Sequence, residues 1–227
     1  MKRTLTFIIM LCIIAMADKA NAQEVKINSN LVVESDGTMR MDGAATVWDD
    51  IMIFPDATSK GGSNTPTWTK FKDNGSSSQG VFLWIFSPST EQEVYFTVQI
   101  PHGYKVGSDL YPHVHWTTTS TTPTRSNVVW GLEYTVVKIG GIFSNTTILN
   151  ANNVIPGILT ISGVGQHLIT SFGPISGSNL DISTILVCRL FRKAADVLDA
   201  YTDPVGLLGF DIHFEKDTQG SRTEFIK

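Results

Sequence analysis

After its first two dozen residues the chain is dominated by alternating apolar and polar side chains rather than by helical spacing. Residues 93–100 give the clearest case. Val94, Phe96, Val98 and Ile100 fall on one side, and Glu93, Tyr95, Thr97 and Gln99 on the other, the period-two signature of a half-buried strand. In 205–216, Phe210, Ile212 and Phe214 alternate with Asp211, His213 and Glu215. In 110–118, Tyr111, His113, His115 and Thr117 share one face. Apolar runs over 45–54, 80–86, 127–137 and 182–191 predict further strands. Shorter ones are expected at 142–148, 158–161 and 166–172. At the N-terminal end, 26–33 and 38–41 read as a hairpin about Ser35-Asp36-Gly37. Residues 56–62, 73–79 and the Thr-rich stretch 117–124 read as loops. Only 193–198 could form a short helix or turn, and Tyr201-Thr202-Asp203-Pro204 stops it. About ten strands separated by turn residues predict an all-β fold, an antiparallel jelly-roll-like β-sandwich.

The first residues follow a different rule. Lys2 and Arg3 precede an apolar stretch over 5–16, and Ala20-Asn21-Ala22 ends it. This is the order of a secretory leader with its cleavage site. The apolar stretch is shorter than the ~20 residues of a bilayer span, so no stable membrane span is expected. The expected organisation is a signal peptide at 1–22, a short β or stalk-like segment at 23–43 and a β-sandwich at 44–227, in a protein that is secreted, extracellular or periplasmic. The 23–43 segment has few large side chains. It would pack on the main domain or form a stalk with copies of itself. With Cys12 in the leader, Cys188 is the one mature cysteine, so no internal disulfide can form. Its place in the apolar run 185–188 predicts a buried, inert thiol. A net charge of −4 supplies no basic face for phosphates, and a nucleic-acid partner is not expected.

Three stretches form a set: Ala45-Thr46-Val47-Trp48-Asp49-Asp50 with Phe54-Pro55; Pro101-His102-Gly103-Tyr104-Lys105 leading to Tyr111-Pro112-His113-Val114-His115-Trp116; and Val129-Trp130-Gly131-Leu132-Glu133-Tyr134. Gly209 to Asp217 followed by Gly220-Ser221-Arg222 completes it. From about residue 44 onward this pattern resembles poorly characterised virion-associated, fibre-like β-sandwich proteins of tailed bacteriophages and prophages. The resemblance implies a structural or adhesion protein, a homo-oligomer with a trimer favoured, virion proteins as partners, and the virion as an alternative location.

The candidate chemistry centres on His113 and His115. At i and i+2 on a strand, both imidazoles point to one face. Gly107 followed five residues later by His-x-His matches the opening of the cupin metal motif, although Thr118 and Thr119 stand where its glutamate belongs. His213, beside Asp211 and Glu215, is the candidate third metal ligand. The competing reading makes these histidines structural hydrogen-bonding groups. A glycoside hydrolase would need two flanking carboxyls, with Asp211 and Glu215 the candidates. Asp49 and Asp50 point to opposite faces and cannot be that pair alone. In the structural reading Trp48 packs, and one of the two aspartates pairs with Arg189, Arg192 or Arg222. No nucleophile elbow or phosphate loop is present. Trp84 and Trp130 belong to apolar strands and read as core. Trp68, Tyr111 and Trp116 are the candidate ligand-binding rings. The reading with most support is a non-enzymatic structural or adhesion protein that recognises a surface or glycan, without a cofactor. A cupin-like metalloenzyme and a glycoside hydrolase are the alternatives.

Overall fold

The computed structural model describes residues 24–28, 30–120, 127–152 and 163–227. The expected leader, part of the Thr-rich loop and the strand expected at 158–161 lie outside the described residues. Within them the chain forms strands β1 (Val25–Ile27), β2 (Leu31–Val33), β3 (Met39–Met41), β4 (Val47–Ile53), β5 (Thr67–Lys72), β6 (Val81–Phe86) and β7 (Gln92–Gln99). They are followed by β8 (Tyr111–Thr118), β9 (Trp130–Val137), β10 (Thr147–Ala151), β11 (His167–Ser171), β12 (Ile185–Arg192) and β13 (Val205–Lys216). No helix among these residues is long and apolar enough to cross a membrane.

All pairings between these strands are antiparallel. One large sheet has the order β10-β9-β12-β7; the other runs β11-β8-β13-β6-β5, with β4 also on β13. Along the chain, β6, β7, β8 and β9 alternate between the two sheets. So do β10, β11, β12 and β13, with β9 and β10 joined in one sheet. Two such interleaved sets are the connectivity of a jelly roll. The sheets meet through their alternate apolar side chains. Phe96 of β7 lies 4.9 Å from Phe210 of β13, and Phe86 of β6 lies 5.2 Å from Trp130 of β9 (ring centroids). Each fully buried side chain of this size contributes about 1.5–3 kcal/mol of transfer free energy.

One irregularity sets what the outer face carries. The pairing of β13 with β8 shifts between Leu207 and Gly209. Leu207 lies opposite Trp116 and Phe210 opposite Val114, and all four side chains are in the core. Leu208 is therefore a bulged residue. Beyond it the core-facing positions are Phe210, Ile212 and Phe214, and Asp211, His213 and Glu215 face outward.

Several sequence expectations shift. The first expected strand is broken at Asn28, whose φ of 52° turns the chain, so β1 and β2 are separate. The strand expected at 142–148 begins only at Thr147, and β5 was not expected. The 193–198 segment takes the turn form of its two expected alternatives. The N-terminal sheet lies against the C-terminal tail. The Met41 N–H donates to the Asp217 carbonyl at 2.7 Å, and Arg222 forms ion pairs with Glu34 and Asp36.

Candidate functional site

The outer face of the six-stranded sheet gathers four of the chain's five histidines. Strand β8 sits between β11 and β13, and β13 between β8 and β4. The register places His113 opposite Asp211 and Ser171, and Tyr111 opposite His213, itself opposite Asp50. His115 lies opposite Ile169, and His167 opposite Thr117. Because Val114, Trp116, Phe210 and Ile212 fill the interior, the intervening polar side chains must all lie outside.

Asp211 is the hub. Its Oδ2 lies 3.1 Å from His115 Nε2, and His115 Nδ1 lies 2.7 Å from His167 Nε2. With neutral rings both contacts are satisfied if His115 donates from Nε2 and accepts at Nδ1 from the His167 Nε2–H. The Asp211 Oδ1 is only 2.7 Å from His113 Nε2, yet it lies off the line of that N–H and is a buried oxygen without an aligned donor. Burial pushes the Asp211 carboxyl up, but His113 and His115 outweigh it and hold the group well below the usual carboxylate range. Partial burial and repulsion from His115 lower the His167 pKa, against the pull of Asp211. His213 Nε2 pairs with Asp50 Oδ1 at 2.8 Å, and its ring meets His113 edge-on at 4.2 Å.

Asp50, His113, His115, Asp211 and His213 form the floor of an open groove of about 780 Å³. Trp48 and Tyr111 stand at one side, edge to face with centroids 5.4 Å apart, and Ile169 and Ser171 at the other. Trp48 is 57% and Tyr111 39% exposed. His113, Asp211 and His213 each offer a ligand atom within 4.8 Å of the others.

Of the three expected metal ligands, His113 and His213 therefore converge. His115 instead holds the second oxygen of Asp211. The cupin-like reading is corrected in one respect: a metal inside a jelly roll needs inward-facing ligands, and these face away from an interior filled with apolar side chains. Of the expected ligand-binding rings, Tyr111 lies in the groove. Trp116 does not: it is fully buried, and its indole N–H donates to Thr170 Oγ1 at 3.0 Å. Trp68 is half-exposed on the edge strand β5, against Trp84 at 4.7 Å and Phe82 at 6.4 Å, away from the groove. Its partner Trp84 and Trp130 are core residues, as expected.

The two carboxyls of the hydrolase reading are committed to separate partners. Asp211 and Glu215 lie four residues apart on one strand, about 13 Å between Cα atoms, and Asp211 is turned to His113 and His115. Glu215 is engaged by Lys105 and Thr46, and the lowered Asp211 carboxyl is the opposite of a general acid. None of the expected arginines meets Asp49 or Asp50. Asp49 pairs with Lys216 at 3.1 Å, while Arg189 meets Glu91 and Glu133, Arg192 meets Asp199, and Arg222 meets Glu34 and Asp36. Trp48, expected to pack, is instead exposed in the groove, and Asp50, weighed as a hydrolase carboxylate or an arginine partner, pairs with His213; His167 had no expected role. His167 had a usable signal, a polar position at the start of an alternating stretch.

No protein-family model matches the chain, and no curated protein matches it. Among solved structures it is similar to TmCBM61, determined in complex with β-1,4-galactotriose: 15% identity over 75% of this chain and 85% of that one, with a TM-score of 0.25.

Proposed function

We propose that the protein is a non-catalytic binding module that holds a glycan in the groove on the outer face of the six-stranded sheet. The observation that carries this reading is the pair of exposed rings, Trp48 and Tyr111, beside a floor of imidazoles and carboxylates. A sugar presents apolar C–H faces and a rim of hydroxyls. The rings offer flat apolar surface for the former, and Asp50, His213 and Ser171 offer donors and acceptors for the latter. A concave site with aromatic walls and a few convergent polar groups is the ordinary form of a small-ligand pocket. Attachment or decoration on a cell or virion surface, by a trimer, is the wider role that fits such a module.

The test is affinity electrophoresis of the purified chain through gels containing a panel of neutral and acidic polysaccharides. Retardation by at least one polysaccharide is expected, with Trp48→Ala and Tyr111→Ala each weakening it about tenfold, the scale of about 1.4 kcal/mol. No retardation by any polysaccharide would overturn the reading. So would retardation that Trp68→Ala abolishes and Trp48→Ala leaves intact.

A further inference from the structure

We propose that His113, Asp211 and His213 form a binding site for a divalent transition-metal ion of the zinc class. One ligand atom from each lies within 4.8 Å of the other two. Bonds of about 2.0–2.2 Å to zinc allow two ligands of one ion to stand at most about 4.4 Å apart. The set therefore closes with a small rotation of His213, whose side chain is 42% exposed and is held on its outer side by Asp50. His113 and Asp211, at 6% and 12% side-chain exposure, are already fixed.

Two further observations point to a cation rather than to a structural cluster. The first is Asp211 Oδ1, a buried carboxylate oxygen with no aligned hydrogen-bond donor. His113 Nε2 stands 2.7 Å away without aligning its N–H, and a bound cation would give that oxygen a directed positive partner. The second is the arrangement one layer out. His115 holds the other oxygen of Asp211, His167 holds His115, and Asp50 holds His213. Metal ligands are oriented by partners of this kind, carboxylate on histidine above all. Two imidazoles with one carboxylate suit zinc and its neighbours, whereas calcium and magnesium take oxygen ligands. Three protein ligands leave at least one coordination position, and it opens on the groove. The site rests on its own geometry and stands whether or not a glycan binds there.

The experiment is calorimetric titration of zinc chloride into the full chain after EDTA treatment and dialysis, with the melting temperature followed in parallel. The expected result is one ion per chain and a saturable rise in melting temperature. His213→Ala removes a half-exposed ligand without disturbing the core and should weaken binding more than about tenfold. His115→Ala should weaken it by about 10–100-fold as a supporting residue, and His102→Ala, outside the cluster, should change nothing. The proposal is overturned if excess zinc produces neither heat nor a melting shift, if His213→Ala binds zinc as tightly as the parent, or if calcium binds as well as zinc.

Discussion

The connection between β12 and β13 is held by one buried ion pair, and its removal has a calculable consequence. Arg192 donates to Asp199 through Nε at 3.0 Å and Nη2 at 2.7 Å, a two-pronged contact. Its remaining hydrogen bonds go to the carbonyls of Asp203 at 2.9 Å and Tyr201 at 2.5 Å. Asp199 also accepts from the Val129 N–H at 3.1 Å. Neither side chain has any exposed surface. In Asp199→Ala the guanidinium stays buried with half its acceptors gone, and the Val129 N–H is orphaned. Breaking a buried pair from one side costs about 3–5 kcal/mol. For a chain of this size that lowers the melting temperature by about 10 °C. The functional link is direct, because this loop delivers β13, with Asp211 and His213, into the sheet. Urea denaturation of the parent, Asp199→Ala and the double variant Arg192→Met with Asp199→Leu would measure it. The double variant should recover only part of the loss: it leaves no buried charge unpaired, but the Val129 N–H and the Asp203 and Tyr201 carbonyls still lose their partners. A loss below about 1 kcal/mol in Asp199→Ala, the range of an exposed pair, would refute the reasoning.

Three other outcomes are expected. A Cβ on Gly177 would stand 1.8 Å from the Ser108 carbonyl oxygen, a backbone atom, so Gly177→Ala should cost about 1–3 kcal/mol or more while Gly173→Ala, in open space, stays within about 0.5 kcal/mol; equal denaturation midpoints would contradict this. Because the folded Asp211 carboxyl is held low, its stabilising contribution is complete above the unfolded value of about 3.9 and is lost as pH falls through the folded value. Melting temperatures recorded from pH 6 downward should therefore show a shallower acid limb below about pH 4 in Asp211→Asn than in the parent, and parallel limbs would count against the hub. Burial pushes the Cys188 thiol up to about 12, so a thiol reagent at pH 8 should label it only as fast as the chain unfolds.

How much of this was legible in the sequence depends on the range of the interaction that decides each feature. The strands with a clean two-residue period, β7, β8 and β13, were readable because alternation is local. The same alternation already put Trp116 with Val114 and opposite His113 and His115, so its place in the core was available from its own segment. Strand β5 was missed because it is an edge strand with mostly exposed side chains, and an edge strand needs little apolar patterning. The meeting of Asp50, His113, His167 and Asp211 was not readable. It depends on β4, β8, β11 and β13 becoming neighbours in one register, across separations of up to about 160 residues, a matter of topology rather than local pattern.

The bulge at Leu208 explains why a polar site can exist on this sheet at all. Strict alternation from Leu207 would continue inward through Gly209, Asp211, His213 and Glu215, placing two carboxylates and an imidazole between the sheets. Burying those groups without partners would cost several kcal/mol each. It would also turn Phe210, Ile212 and Phe214 to solvent. One extra residue reverses the phase, returning the three apolar side chains to the core and delivering Asp211 to His113 and His115. The sequence carries this change of phase openly, as Leu207-Leu208-Gly209-Phe210, where two leucines interrupt the alternation just before it resumes. The bulge thus serves the core and the site together. The first half of β13 joins β6 and β8 as ordinary core sheet, and the second half, flanked by β8 and β4, supplies the floor of the groove.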